Sequence, residues 1–204
     1  NLWTADLEDV DVTVREIWIQ HYRYSGEGRV RGGFYFKPLR AVEIRPTEVT
    51  LTAGELSLAE HVVARPEVHA TVSSTRFDPR EAKGVGVLSW ITLQLALEAQ
   101  VPGLGFTRFY EDASSAVALS DGSGEVRAQL SVREGVLSPS STLSYATSHL
   151  AISLPAESLL VTTGGEVRLT TADGEAPPSA RFSAWMPKTT VVRPGSGIPE
   201  ARAE

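Results

Sequence analysis

Metal chemistry is the first possibility to weigh, and His21, His61, His69 and His149 are its natural ligands. A metal centre needs three or four converging His, Cys or carboxylate groups. Only His61 and His69 approach ligand spacing, eight residues apart with Pro66 between them, and the chain holds no cysteine. The lack of cysteine also removes disulfides, thiolate nucleophiles and thiol redox chemistry. Ser123 lies between Gly122 and Gly124 but lacks the outer spacing of a Gly-x-Ser-x-Gly elbow. It falls at a hairpin turn, where Ser and Gly are expected for backbone reasons. Gly26, Gly28, Gly32 and Gly33 do not make a phosphate-cradling Gly-x-Gly-x-x-Gly. Arg31 holds the third glycine position and no helix pattern follows. The acidic neighbours Glu8, Asp9 and Asp11, and Glu111 with Asp112, read as solvated charges, because adjacent strand residues point to opposite faces. The sequence thus offers no catalytic residue, no metal and no cofactor, and a non-enzyme is expected.

Two non-catalytic surfaces remain. Trp18, Tyr22, Tyr24, Phe34, Tyr35 and Phe36 crowd the first hairpin. The even-numbered Trp18, Tyr22 and Tyr24 are expected to share one strand face, as a platform for a sugar ring or as cover for a sheet edge. The second surface is made by apolar residues at alternate positions. Phe34, Phe36, Leu93, Leu95, Leu97, Leu130 and Val132 are the expected lining of an apolar groove.

The elements that must position these residues are strands. Over 91–99 every odd residue is apolar, with Thr92, Gln94 and Glu98 between. That is the period of a half-buried strand, whereas a helix spaces its apolar residues by three and four. Val126, Ala128, Leu130 and Val132 repeat the pattern, as do Leu150, Ile152 and Leu154. Val10, Val12 and Val14 alternate, then Ile17 and Ile19 resume in the opposite phase, which predicts a β-bulge near Arg15–Glu16. Proline and Gly-rich turns fall between the runs, giving about a dozen short strands linked mainly by hairpins. One short helix is expected within Gly103–Asp112, a loop over Pro79–Gly86, and a tail or linker over 187–204.

The expected architecture is all-β and mostly antiparallel: a strongly curved sheet or stacked β-units forming an apolar-lined groove, with a compact β-sandwich as the alternative. Residues 1–186 read as one domain, divisible into related units at about 7–79 and 87–172. Gly28-Arg-Val-Arg31, Gly124-Glu-Val-Arg127 and Gly165-Glu-Val-Arg168 each follow a turn and start a strand. The first two lie 96 residues apart. With 204 residues and 42% hydrophobic content, the chain has apolar surface enough for a sizeable core. The net charge of −6 argues against a nucleic-acid module. No apolar run reaches the roughly 18–20 residues that span a bilayer. The chain opens Asn-Leu-Trp without a signal-peptide pattern or an initiator Met, and reads as a processed chain or an excised piece.

The stretch 123–145 has the form "alternating strand, charged-Gly, Val/Leu, Pro-Ser, Leu-x-hydrophobic". Residues 7–19, 28–39 and 48–58 share its texture. This pattern, over roughly 7–172, resembles the repeating unit of AsmA-like and TamB-like bacterial envelope proteins. The resemblance implies a fragment of a larger periplasmic protein of a Gram-negative cell envelope. It also implies an apolar groove that shields lipid acyl chains on their way toward the outer membrane. The partners so implied are acyl chains or neighbouring β-modules of the same protein, with no nucleic acid and no transmembrane segment in this chain. The alternative function is a β-sandwich binding or adhesion module for carbohydrate or protein.

Overall fold

A computed structural model describes residues 4–81, 84–110, 116–139, 141–172, 179–193 and 199–202. Its strands are β1 (Ala5–Ile19), β2 (Tyr22–Lys37), β3 (Ala41–Ile44), β4 (Thr47–Leu58), β5 (His61–Ser74), β6 (Ile91–Val101) and β7 (Ala118–Arg133). They continue with β8 (Val136–Leu137), β9 (Thr142–Leu154), β10 (Leu159–Thr171), β11 (Ala180–Trp185), β12 (Thr190–Val192) and β13 (Pro199–Arg202). All belong to one antiparallel sheet, ordered β1-β2-β4-β5-β6-β7-β9-β10-β12-β13, which does not close into a barrel. The short β3 and β8 pair with β2 and β7, while β11 and β12 share the outer edge of β10.

The period-two pattern sets the register. Leu95 sits opposite Ala70 on β5 and Leu130 on β7, and Leu93 opposite Val72 and Val132. Opposed residues share a face, so the apolar positions of successive strands join into one continuous apolar face. The pairing runs unbroken through β5, β6 and β7, so the segments 7–79 and 87–172 are parts of one sheet rather than separately stacked units.

Register shifts fall in a band on both sides of that central ladder. They lie between Val14 and Glu16 on β1, Ser25 and Glu27 on β2, Ser123 and Glu125 on β7, and Thr163 and Gly165 on β10. Each bends its strand and increases twist. The first lies at the bulge predicted from the phase change. The Gly-x-Val-Arg segments start at this band. In each, the valine faces the apolar side, with Val30 opposite Val49, Val126 opposite Ala99 and Val167 opposite Tyr145. The charged residues face the other side, where Arg29 and Arg31 hold Asp11, Arg127 holds Glu125 and Arg168 holds Glu166.

Among the described residues no second sheet lies over this one. The chain keeps 13470 Å² of accessible surface, where a compact monomer of this mass keeps about 9300 Å². The compact-sandwich alternative is therefore not the architecture adopted. Among the described residues Phe77 is buried against Trp90 at one end of the strands, and a core cluster lies at the other, where Leu58, Val63, Ala64, Ala99, Val101 and Leu104 are buried together. Leu104 belongs to the irregular segment 102–110, which crosses the apolar face there. Phe106 packs on the same core, Phe109 meets the edge of His61 at a centroid distance of 5.5 Å, and the Tyr110 and Tyr22 hydroxyls are hydrogen-bonded.

Three expectations need correction. The helix expected over Gly103–Asp112 is a single 3-10 turn, Gly105–Phe109, because its two glycines and five residues cannot nucleate a longer one; Glu111 and Asp112 lie outside the described residues. A second 3-10 segment, Gly84–Trp90, overlaps the loop expected over Pro79–Gly86. The tail read from 187 contributes β12, paired with Leu160–Thr162 of β10, and β13.

Candidate functional site

The seven residues expected to line a groove lie on one face, linked strand to strand by opposed pairs. Phe36, Leu93, Leu95, Leu97, Leu130 and Val132 are half-buried and Phe34 is 38% exposed. Opposed apolar residues on neighbouring strands contribute to that half-burial. The face continues to both sides. Leu7 and Val12 on β1, Leu143 on β9, Leu169 on β10 and Phe182 on β11 are all exposed on it. Scattered apolar exposure is ordinary, but a contiguous apolar surface across a whole sheet is a binding surface or an aggregation hazard.

The aromatic platform does not assemble. The β1–β2 turn has two residues, so Trp18 is opposed to Arg23, and Tyr24 to Ile17. Even positions of β1 near the turn therefore share a face with odd positions of β2. Trp18 stands on the polar face, 64% exposed, donating to Glu16 with the Arg23 guanidinium 5.8 Å from its ring centre. Tyr22 and Tyr24 are on the apolar face. Tyr24 is 3% exposed, its ring lies over Gly54, and its hydroxyl donates to the carbonyls of Glu27 and Thr52. Burial pushes its hydroxyl pKa above the ordinary value. A side chain at Gly54 would collide with that ring, which is why glycine stands there.

Ser123 is opposed to His149 across β7 and β9, and His149 Nε2 lies 3.7 Å from the Asp121 carboxylate. No hydrogen bond joins the Ser123 hydroxyl to the imidazole among the described residues, and both His149 and Asp121 are largely in water. An oriented nucleophile and a desolvated base are therefore both missing from that trio. Among the described residues no three His, Asp or Glu side chains converge as metal ligands. His21 is in the β1–β2 turn, and His69 is on the polar face between Thr50 and Ala96.

One polar group does sit within the apolar face. The Tyr145 ring lies over Gly124 beside the core, and its hydroxyl is buried with Thr147 as its polar neighbour. Desolvation raises its pKa. Period-two reasoning places Tyr145 inward, but nothing local to the sequence shows that its hydroxyl is buried.

The arrangement defines a class by geometry, one large open antiparallel β-sheet with one apolar face that is covered in part by 102–110. Comparison with protein-family models, with curated proteins and with solved structures finds no match. Among the described residues no helix is long and apolar enough to cross a membrane.

Proposed function

We propose that this chain is a non-catalytic β-module that shields lipid acyl chains against its apolar face. One observation carries the reading: the apolar residues of β1 through β11 form one continuous face, and among the described residues no second sheet lies over it. An acyl chain laid on such a face leaves water at roughly 0.8 kcal/mol per buried methylene, a gain that needs neither an acid nor a nucleophile. The alternating runs at 7–19, 28–39, 48–58 and 123–145 support membership in an AsmA-like or TamB-like envelope protein, and with it a place in the bacterial periplasm. In that setting the module serves lipid transport or outer-membrane assembly.

The test is mass spectrometry of organic extracts from protein purified without detergent. Phospholipid or fatty acid in stoichiometric amount, lost in a folded Leu95→Asp variant, is the expected result. A clean extract from monodisperse protein that also fails to bind a fluorescent fatty acid overturns the reading.

A further inference from the structure

The polar face carries a second feature, independent of the acyl-chain reading. Across six neighbouring strands one residue from each falls on a single line: Arg65, Gln100, Glu125, Ala146, Glu166 and Trp185, each directly opposed to the next. All six border one open hollow of about 1400 Å³. The hollow lies at the band of bulges, where β7 and β10 bend. Its floor is made by small residues, among them Ser123, Gly124, Ser148 and Gly164.

The polar groups of the line are held in place. The Arg127 guanidinium donates to both carboxylate oxygens of Glu125 at 3.0 Å. Arg168 donates to Glu166 at 3.1 and 2.6 Å, and Arg65 is fixed by Glu55 at 3.0 Å. Each charge thus has its counter-charge, and each carboxylate keeps acceptor sites beyond those its arginine occupies. Preorganised groups lose less entropy when a ligand arrives. At the far end Trp185 is 69% exposed, a flat apolar plate beside a row of hydrogen-bonding groups.

These properties select a ligand chemistry. Lys188 and the Glu55-paired Arg65, set against Glu125 and Glu166, make no cationic cradle for a phosphate or nucleic acid. The small polar floor gives an acyl chain nothing to displace water from. The line covers five interstrand spacings, about 24 Å, far longer than one ring. A chain of linked pyranose rings meets these terms, with hydroxyls for the amide, carboxylates and guanidinium, and one ring face for the indole. We propose that this hollow on the polar face is an oligosaccharide-binding site, with Trp185 as the stacking residue and Gln100, Glu125 and Glu166 as the hydrogen-bonding row.

The test uses the full chain and a panel of soluble cello-, chito- and manno-oligosaccharides, from tri- to hexasaccharides, read by titration calorimetry and by ligand-observed NMR. At least one series should bind, with affinity rising with chain length up to the length of the line. Trp185→Ala should weaken that binding about tenfold or more, and Glu166→Gln less. Ser148→Trp, which fills the floor without touching β11, should abolish it, so the test stands even if Trp185→Ala loosens the edge. Glu60→Gln, in the exposed β4–β5 turn, should bind as the parent does. No binding by any series overturns the proposal. So does binding that survives both Trp185→Ala and Ser148→Trp, or a response to an unstructured peptide equal to that of every saccharide. Fatty-acid binding is scored separately on the same samples, so failure here is distinguishable from failure of the acyl-chain reading.

Discussion

The two ends of this sheet have the same strands and different fates. At the end holding Leu58, Val63, Ala99 and Val101, the chain returns over its own apolar face through 102–110 and buries it. At the other end Leu93, Leu95, Leu130 and Val132 alternate just as regularly and stay half-buried. Strand pairing is as complete in the second region as in the first. What differs is the reach of the irregular segments: Leu104 to Tyr110 lies over the first end, while at the other Phe77, opposite Val42 and stacked on Trp90, is buried at the strand margin only. Alternation alone specifies which face is apolar; cover needs residues outside the strands.

Leu104→Ala removes the anchor of the covering segment from a buried site and should cost about 3 kcal/mol in chemical denaturation. A cost below about 1 kcal/mol would show that the covered end is not a true core. Gly54→Ala pushes a methyl into the Tyr24 ring, which is pinned by two hydrogen bonds and cannot swing away. We expect a loss of about 2 kcal/mol by the same measurement, and an unchanged midpoint would mean the ring has another position. Leu95→Ala, in the uncovered region, should cost about 1 kcal/mol, since the side chain has neighbours on one side only. A loss equal to that of Leu104→Ala would reveal a layer over the open face in solution.

The smallest effect is electrostatic. Asp78 is held down to about 2 by the hydrogen bonds from the Arg80 side chain and backbone. Its folded value lies below the ordinary 3.8, so the contact contributes above that ordinary value and is lost as pH falls through about 2. Carboxyl-detected NMR should place its midpoint near about 2 and return it toward 3.8 in Arg80→Ala. An unshifted midpoint in the parent protein would dissolve the pair.

The register of the apolar face was legible because side-chain direction depends only on local periodicity. Leu93, Leu95 and Leu97 could be placed from 91–99 alone, and the bulge on β1 from one change of phase at Arg15–Glu16. Faces joined through a turn were harder. Trp18 and Tyr24 are both even-numbered, yet the pairing of Trp18 with Arg23 sends them to opposite sides. β12 is three residues long, too short for alternation to register. The line from Arg65 to Trp185 takes one residue from each strand, so no window of sequence contains two of its members as a motif. Only long-range pairing assembles it.

The strand order has a consequence for how the molecule is made. Along β1-β2-β4-β5-β6-β7-β9-β10 every partner is the next long strand in the chain, so no strand waits for a distant mate. Such a sheet can grow by zippering as it leaves the ribosome, hairpin after hairpin, with short loop closures at each step. Stability then accumulates as a sum over adjacent pairs, in the manner of linear arrays, and denaturation should spread inward from the margins instead of occurring all at once. A polypeptide built this way can be lengthened or shortened by whole hairpins without rewiring what remains.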